Sequence, residues 1–432
     1  MNLFENTLKF NGFPIAEAKR KLKDIQQIRE SEYADYIFEA RNEIVKYHFK
    51  NTPFYKKFIE TDTLAWEDIP VMTKSHLQQP LKERLSSEYA KKSIYTNKTS
   101  GSSGTPFIFA KDALTWAKFI ANYKSLGINF NSSLQARFYG IPLNFAGYYK
   151  ERFKDYLGHR YRFPIFNLSE QKLEEILHKF KEKKFNYIYG YTSSILLFAK
   201  FLQSKNLVLK EVCPNLKCCI VTSEMLFEDD KKLMESVFGV PIINEYGASE
   251  FGLLAFTDRQ NKFRIDSETC FVEILDENDK AVPLGDAGRI IITSLYNKAH
   301  PMIRYDIGDT GVLATSSTYK FPVFEKLIGR TNDIARLPSG KIVPGLTFYY
   351  VTKTIISNDG NVKEFVIEQT QLDTFKIKYV ADRELDLKEK MKIEKSIFEY
   401  LERDLKVIYE KMPVLNRTKS GKLKQFVSLV TD

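Results

Sequence analysis

At 432 residues, the chain is long enough for two domains or three, and 43% apolar with 14% aromatic residues supplies a packed core; 28% charged residues leave no compositional sign of disorder. A net charge of +10 and an isoelectric point near 9.0 bring nucleic acid, a membrane surface or an anionic substrate into view. The basic runs Lys19–Lys23 and Lys179–Lys184 are broken by apolar or acidic residues, as on solvated helix faces, so nucleic acid is not the expected partner.

Residues 15–50 carry apolar side chains at helical spacing, from Ile15, Ala18, Leu22 and Ile25 to Ile37, Ala40 and Ile44, and predict amphipathic helices that end at Asn51-Thr-Pro-Phe-Tyr55. Asp68-Ile-Pro-Val-Met-Thr-Lys-Ser-His76 predicts a turn opening a short helix. From about residue 163 a strand–helix rhythm sets in. Asn167 with Glu170 makes a capping-box pattern ahead of Leu173, Ile176, Leu177 and Phe180. Phe185–Tyr189 predicts a strand ending at Gly190, Ile195–Gln203 a helix capped from Thr192–Ser194, Leu216–Val221 a strand, Glu228–Phe238 a helix with Gly239 at C′, and Val240–Tyr246 a strand. That alternation implies a mostly parallel sheet covered by helices, with ligands at the carboxyl ends of its strands. Phe271–Leu275, Arg289–Thr293 and Gly311–Thr315 predict antiparallel strands. Beyond Arg330 a tail of about 100 residues has its own pattern. Phe365–Glu368 pairs with Phe375–Val380, Leu387–Lys406 is an amphipathic helix, and Val407–Met412 is a strand. The fold class expected is α/β: a large N-terminal domain (1–330) with mostly parallel sheets and a β subdomain, and a small mobile α+β C-terminal domain (331–432).

Cys213, Cys218, Cys219 and Cys270 form no CxxC pair and the five histidines are scattered, which argues against zinc and against a disulfide framework. No apolar h-region opens the chain, and the apolar stretch Ile195–Leu202, interrupted by Lys200, is too short to span a bilayer. A soluble cytoplasmic protein with no membrane span is expected.

Four short motifs carry chemistry. Thr99-Ser-Gly-Ser-Ser-Gly-Thr-Pro-Phe107 holds five hydroxyls and two glycines. Glycines turn backbone N–H groups inward and hydroxyls add donors, a cradle for phosphate oxygens, although the composition also suits a flexible linker and no Gly-Lys-Ser/Thr ends it. Asn244-Glu-Tyr-Gly-Ala-Ser-Glu250 follows a strand; its Tyr246 can stack on a flat base beside Gly247, and Glu250 can hold a divalent cation. Arg304-Tyr-Asp-Ile-Gly-Asp-Thr-Gly311 sets Asp309 at a turn, where a carboxylate can accept from two ribose hydroxyls. Lys419-Ser-Gly-Lys-Leu-Lys424 predicts an exposed C-terminal loop with Lys422 after a glycine, which by itself also reads as a basic surface tail.

In this order and spacing the motifs resemble the ANL superfamily of adenylate-forming enzymes, which includes acyl-CoA synthetases, peptide-synthetase adenylation domains and luciferases. The resemblance runs from about residue 50 to 427, and Gly329-Arg-Thr-Asn-Asp333 is similar to the hinge between its domains. Asn51–Tyr55, Ile69–Lys74 and Thr222-Ser-Glu224 look most like the phenylacetate–CoA ligase branch, which includes capsular-polysaccharide cluster members. The resemblance implies ATP and Mg²⁺, with CoA as one acceptor. It implies that Thr99, Ser100, Gly101, Ser102, Ser103, Gly104 and Thr105 form the phosphate loop, and that Tyr246, Gly247 and Ser249 face the nucleotide. Glu250 would act catalytically through the metal, Asp309 and Arg330 would bind the ribose, and Lys422 would be the catalytic lysine. Phe138, Tyr139, Phe145, Tyr189 and Tyr191 become candidate walls of the acid pocket. Ser249 stands where threonine is usual, Asn332 where the hinge aspartate is usual, and Phe251–Cys270 has one cysteine only, so no structural metal is carried over.

The activity so implied is ATP-dependent adenylation of a small-molecule carboxylic acid, then transfer to an acceptor thiol or amine. Two readings stay open beside it: a nucleotidyltransferase that leaves AMP on its substrate, and a non-catalytic nucleotide-binding protein of polysaccharide biosynthesis. The acid, the acceptor and the oligomeric state are not readable from the sequence.

Overall fold

The computed structural model describes the chain except residues 1–2, 91–95, 99–107, 111, 142–144, 166–167, 259, 331–333, 345–360, 418–422, 425 and 431–432. The chain divides into two compact units, one of Met1–Ile307 with Gly311–Lys326 and one of Gly308–Thr310 with Leu327–Asp432.

In the first unit, after a short helix Leu3–Phe10, the helices Ile15–Gln27 and Tyr33–Asn51 bury Ala18, Leu22, Ile25, Ile37 and Ala40 of their apolar stripes against Leu114 and Ala117. A small hairpin follows, β1 (Thr96–Lys98) and β2 (Ile108–Ala110), paired antiparallel with Lys98 opposite Ile108. The turn after Ile69 does not open a helix: Thr73, Ser75 and His76 bond one another locally and use the side chains that a helix would turn outward.

The parallel strands are β3 (Gln135–Phe138), β4 (Arg160–Phe163), β5 (Tyr187–Tyr191), β6 (Cys218–Thr222) and β7 (Ile242–Ala248). The sheet then reverses into β8 (Gly252–Thr257), β9 (Phe263–Ile265), β10 (Cys270–Leu275), β11 (Ala287–Ser294), β12 (Tyr305–Leu313) and β13 (Val323–Arg330). The eleven strands form one sheet in the order β10-β11-β12-β13-β9-β8-β7-β6-β5-β3-β4. The antiparallel strands thus extend the parallel sheet, because the β7–β8 hairpin keeps the ladder going in reverse.

Alternation divides the parallel strands into two faces. Ala136, Phe138, Ile188, Cys219, Val221 and Ile242 pack under the helices Glu170–Glu182, Thr192–Ser204 and Glu228–Phe238, through Phe180, Phe198, Met234 and Phe238. Tyr187, Cys218, Ile220 and Ile243 point the other way, against Tyr123 of the helix Ala113–Ser125. All four cysteines are free and buried. The helix Glu170–Glu182 starts from Ser169 without a side-chain cap, and Asn167 lies outside the described residues.

In the second unit, β14 (Ile334–Arg336) pairs β15 (Ile342–Pro344), and β16 (Val362–Gln371), β17 (Thr374–Ala381), β18 (Lys406–Lys411) and β19 (Phe426–Ser428) form a sheet in the order β18-β17-β16-β19. The expected β16–β17 hairpin is present, with Ile367 opposite Ile377. The helix Leu387–Tyr400 buries Ile393 and Ile397 against this sheet and is capped by an Asp386–Glu389 capping box. It stops six residues before the expected Lys406, which instead begins β18 beside Thr374. Among the described residues no helix is long and apolar enough to cross a membrane.

Candidate active site

β7 delivers the Tyr246–Glu250 segment to the carboxyl end of the parallel strands, where open α/β sheets bind ligands. A register shift separates Tyr246 from Gly247 as β7 pairs with β8. At Gly247 a Cβ would come 2.6 Å from the Gly252 carbonyl oxygen, so the crossing of the two strands excludes a side chain there. Gly252 itself turns back at φ +82°. Tyr246 is half-buried and meets Phe324 and Phe263 edge-on, at 5.8 and 6.5 Å between ring centroids. Ser249 is exposed and Glu250 half-buried on the turn that follows. The motif thus ends β7 and turns into the antiparallel strand β8.

A divalent cation fits here in one manner. Among the described residues no group of three or more His, Cys, Asp or Glu is arranged to hold a metal. Mg²⁺ is ordinarily held by one or two carboxylates together with substrate phosphates, and Glu250 supplies such a carboxylate.

Asp309 is not at a turn. It lies within β12, half-buried, directly after Gly308 at φ +77°. Gly308–Thr310 belongs with the second unit, as does Arg330 at the end of β13. The start of the same motif has a structural task. The buried Arg304 guanidinium donates to the carbonyl oxygens of Trp66, Glu67 and Ile69, at 3.2 and 3.0 Å for the first two. The Met72 N–H donates to Arg304 O and the Asp306 N–H to Met72 O, both at 2.8 Å. The Ile69–Lys74 and Arg304–Gly311 motifs are thus hydrogen-bonded to each other.

The residues Thr99, Ser100, Gly101, Ser102, Ser103, Gly104 and Thr105 lie outside the described residues, between β1 and β2. The strand that follows them is held firmly: Phe109 and Ala110 are buried, Arg84 Nη2 donates to Ile108 O at 2.8 Å, and Asn297 Nδ2 donates to Ala110 O at 3.0 Å. Lys422 also lies outside the described residues. Its flanks are anchored within the second unit, since Leu415 and Leu423 are buried with Val366 and Arg417 pairs with Glu364.

Sequence reading missed a polar cluster at the carboxyl ends of β3, β5 and β7. Glu245 is buried; its Oε2 accepts from Tyr123 Oη at 2.6 Å and its Oε1 from Tyr189 Oη at 3.0 Å. Burial raises the Glu245 carboxyl above its ordinary value, opposed by the hydrogen bonds from Tyr123, Tyr189 and Thr222. Burial, and next the Glu245 charge, push both tyrosines well up. Arg137, the register partner of Tyr189, lies over the rings of Tyr139 and Tyr189 at 4.4 and 5.1 Å from their centroids. Of the expected pocket walls, Tyr139 and Tyr189 belong to this cluster and stack at 13°. Phe138 does not: it is buried in the core beneath the helices, where Tyr191 is buried too, with its ring 4.2 Å from that of Tyr139. The Phe145 side chain lies outside the described set. The available signal was a charge inside the otherwise apolar strand Ala136–Phe138 and a carboxylate on the inward phase of β7.

No family model matches the chain. Protein CapK of Staphylococcus aureus is 23% identical over 398 residues, which are 85% of this chain and 83% of that protein. Indoleacetate–lysine synthetase of Pseudomonas savastanoi is 31% identical over 134 residues, 30% of each chain. Among solved structures, 2-hydroxyisobutyryl-CoA ligase in its postadenylation state with R3-HIB-AMP matches with a TM-score of 0.66 at 15% identity, covering 91% of this chain and 88% of that one. The chain has the fold of the ANL adenylate-forming ligases, as its motifs led us to expect.

Proposed function

We propose that this protein activates a small carboxylic acid with ATP and passes the acyl group to an acceptor thiol or amine. The observation that carries the reading is the Tyr246–Glu250 turn, set at the carboxyl end of β7 in a fold shared with a ligase that holds an acyl-adenylate. In the first step an acid oxygen bonds to the α-phosphorus of ATP and the bond from that phosphorus to the pyrophosphate oxygen breaks. In the second, the acceptor sulfur or nitrogen bonds to the acyl carbon, AMP leaves, and the acceptor's proton goes to solvent. Both first-step reactants are anions, so charge cancellation and in-line positioning are the protein's main contributions.

In this scheme Thr99–Thr105 wraps the outgoing phosphates, Tyr246 stacks on adenine, and Gly247 and Ser249 let the nucleotide approach the turn. Glu250 would hold Mg²⁺, which would offset the negative charge of the phosphates. Asp309, helped by Arg330, accepts from the ribose hydroxyls, and Lys422 bridges the acid and the α-phosphate. Residues 1–330 act as the adenylating domain and 331–432 as a lid that bends at Asn332–Asp333. The likeness to CapK supports a place in capsular polysaccharide synthesis. The partial likeness to indoleacetate–lysine synthetase supports an amine acceptor beside CoA. A supply of ATP sets the reaction in the cytoplasm.

The test is acid-dependent exchange of pyrophosphate into ATP across a panel of carboxylic acids. Lys422→Ala is expected to abolish exchange while leaving ATP affinity and the melting temperature nearly unchanged. Near-normal exchange by that variant removes Lys422 from its role. Mass spectrometry of the product separates release of AMP from its retention, and no exchange with any acid favours the non-catalytic reading.

A further inference from the structure

We propose that Arg137 reads a second anionic group on the acid, so that the substrates of this protein are dicarboxylates or acids of equivalent double charge. The inference rests on the adenylation reading and names its substrate class.

The argument begins from what Arg137 lacks. Its Nη1 donates to Gln135 Oε1 at 3.1 Å, its Nε is buried with no partner, and no carboxylate lies within ion-pair distance of it among the described residues. The next strand shows what a saturated arginine looks like in this sheet. Arg162, opposite Arg137 in register, donates to both oxygens of Asp155 at 2.8 and 3.0 Å, to Glu151 at 2.9 Å and to Gly140 O at 2.8 Å. A guanidinium stays charged at any physiological pH. Left desolvated without an anion it is a costly group, and two tyrosine faces offset only part of that cost.

The nearby carboxylates do not fill the gap: Asp155, whose charge reaches Arg137, is taken by Arg162 and Arg160. Glu245 faces the same side of the sheet, but both its oxygens are taken by Tyr123 and Tyr189. Arg137 meanwhile keeps some access to solvent, at the end of the sheet where ligands enter. A group that accepts from the free edge of the guanidinium completes the cluster. An acid with only an apolar tail leaves the charge buried and unmet, and this asymmetry selects the doubly charged substrate.

The experiment uses the full-length protein and matched pairs: succinate with butyrate, glutarate with pentanoate, terephthalate with benzoate. Each acid is assayed by ATP–pyrophosphate exchange and, without ATP, by titration calorimetry. The wild-type protein is expected to favour the diacid of at least one pair by about 100-fold in kcat/KM. Arg137→Gln should collapse that ratio toward one by loss on the diacid alone, and Arg137→Lys should restore part of it. Melting temperatures of both variants check the fold. A wild-type preference for the monoacids in every pair overturns the proposal. So does an Arg137→Gln variant that loses both members of a pair equally, since that sets Arg137 on the shared reacting carboxylate. If no acid supports exchange, adenylation itself fails and binding decides the charge question: diacid binding that Arg137→Gln abolishes upholds it, and no diacid binding by the wild type overturns it.

Discussion

His48 converts a change of pH into a measurable loss of stability. Its Nε2 lies 2.8 Å from Asn297 O and its Nδ1 2.8 Å from Thr52 Oγ1. A carbonyl only accepts, so Nε2 carries the proton and Nδ1 accepts from the Thr52 hydroxyl. A second proton on Nδ1 would face a donor in a fully buried site. Burial holds the His48 pKa down at about 4, with the Asn297 carbonyl opposing, whereas an unfolded histidine titrates near its ordinary 6.5. The sign follows from which state binds the proton: below 6.5 the unfolded chain takes one that the folded chain refuses, so stability falls as the pH drops and levels off below 4. The full difference is worth about 3 kcal/mol, of which about 2 kcal/mol is lost between pH 7 and pH 5. That is a large fraction of the ~5–15 kcal/mol that holds a domain folded. Urea unfolding followed by tryptophan fluorescence reports the relevant unit, because both tryptophans, Trp66 and Trp116, lie in it with His48. His48→Gln keeps one donor and one acceptor and cannot titrate, so it should remove about 2 kcal/mol of the pH 7 to pH 5 loss. A residual slope will persist from His300, which burial and the Arg84 charge also hold well below its usual value. Equal slopes for wild type and His48→Gln would refute the reasoning.

Two further outcomes follow from the site geometry. Gly247→Ala should cost about 1–3 kcal/mol in stability by overpacking and weaken ATP binding, because its methyl group would lie 2.6 Å from the Gly252 carbonyl; thermal melting and calorimetry read both effects, and unchanged values for both count against that crossing. Asp309→Ala should reduce ATP affinity by about tenfold to a hundredfold, the value of charge-assisted hydrogen bonds to two hydroxyls, and unchanged affinity by calorimetry would remove the ribose assignment.

Local chemistry made the helices legible, and the sheet was legible only in outline. The helix Glu228–Phe238 ends where Gly239 adopts φ +67°, a left-handed cap that residue type alone foretells. Gly190 misled because its reason is not local. It reads as a strand terminator, yet β5 runs on to Tyr191, and Gly190 is needed where a Cβ would come 2.3 Å from the Phe138 carbonyl of the neighbouring strand. Gly308 misled in the same way: its positive φ marks an irregularity inside β12, and Asp309 follows within the strand. A glycine announces that the backbone is permitted something unusual, and only the neighbouring strand decides what. The Arg137–Glu245 cluster was beyond sequence reading for the same cause, since Tyr123, Arg137, Tyr189 and Glu245 come from one helix and three strands that topology alone brings together.

The paired motifs around Arg304 separate what a motif shows about fold from what it shows about chemistry. Arg304 is the first residue of the motif that contains Asp309, but its side chain is spent on three carbonyl oxygens of the Trp66–Ile69 turn, with φ +43° in its own backbone. Met72 then bridges to Tyr305 as a short parallel pairing. These contacts fix where β12 begins. A non-catalytic descendant of this fold would need the same clamp to fold at all, so an intact Arg304 argues for the architecture and says nothing about turnover. Glu250 and Lys422 answer a different constraint. In the proposed scheme Glu250 holds the metal and Lys422 meets the acid, tasks that turnover needs and the Arg304 clamp does not perform. The case for catalysis therefore rests on these residues, and their substitution, rather than that of the clamp, is what tests it.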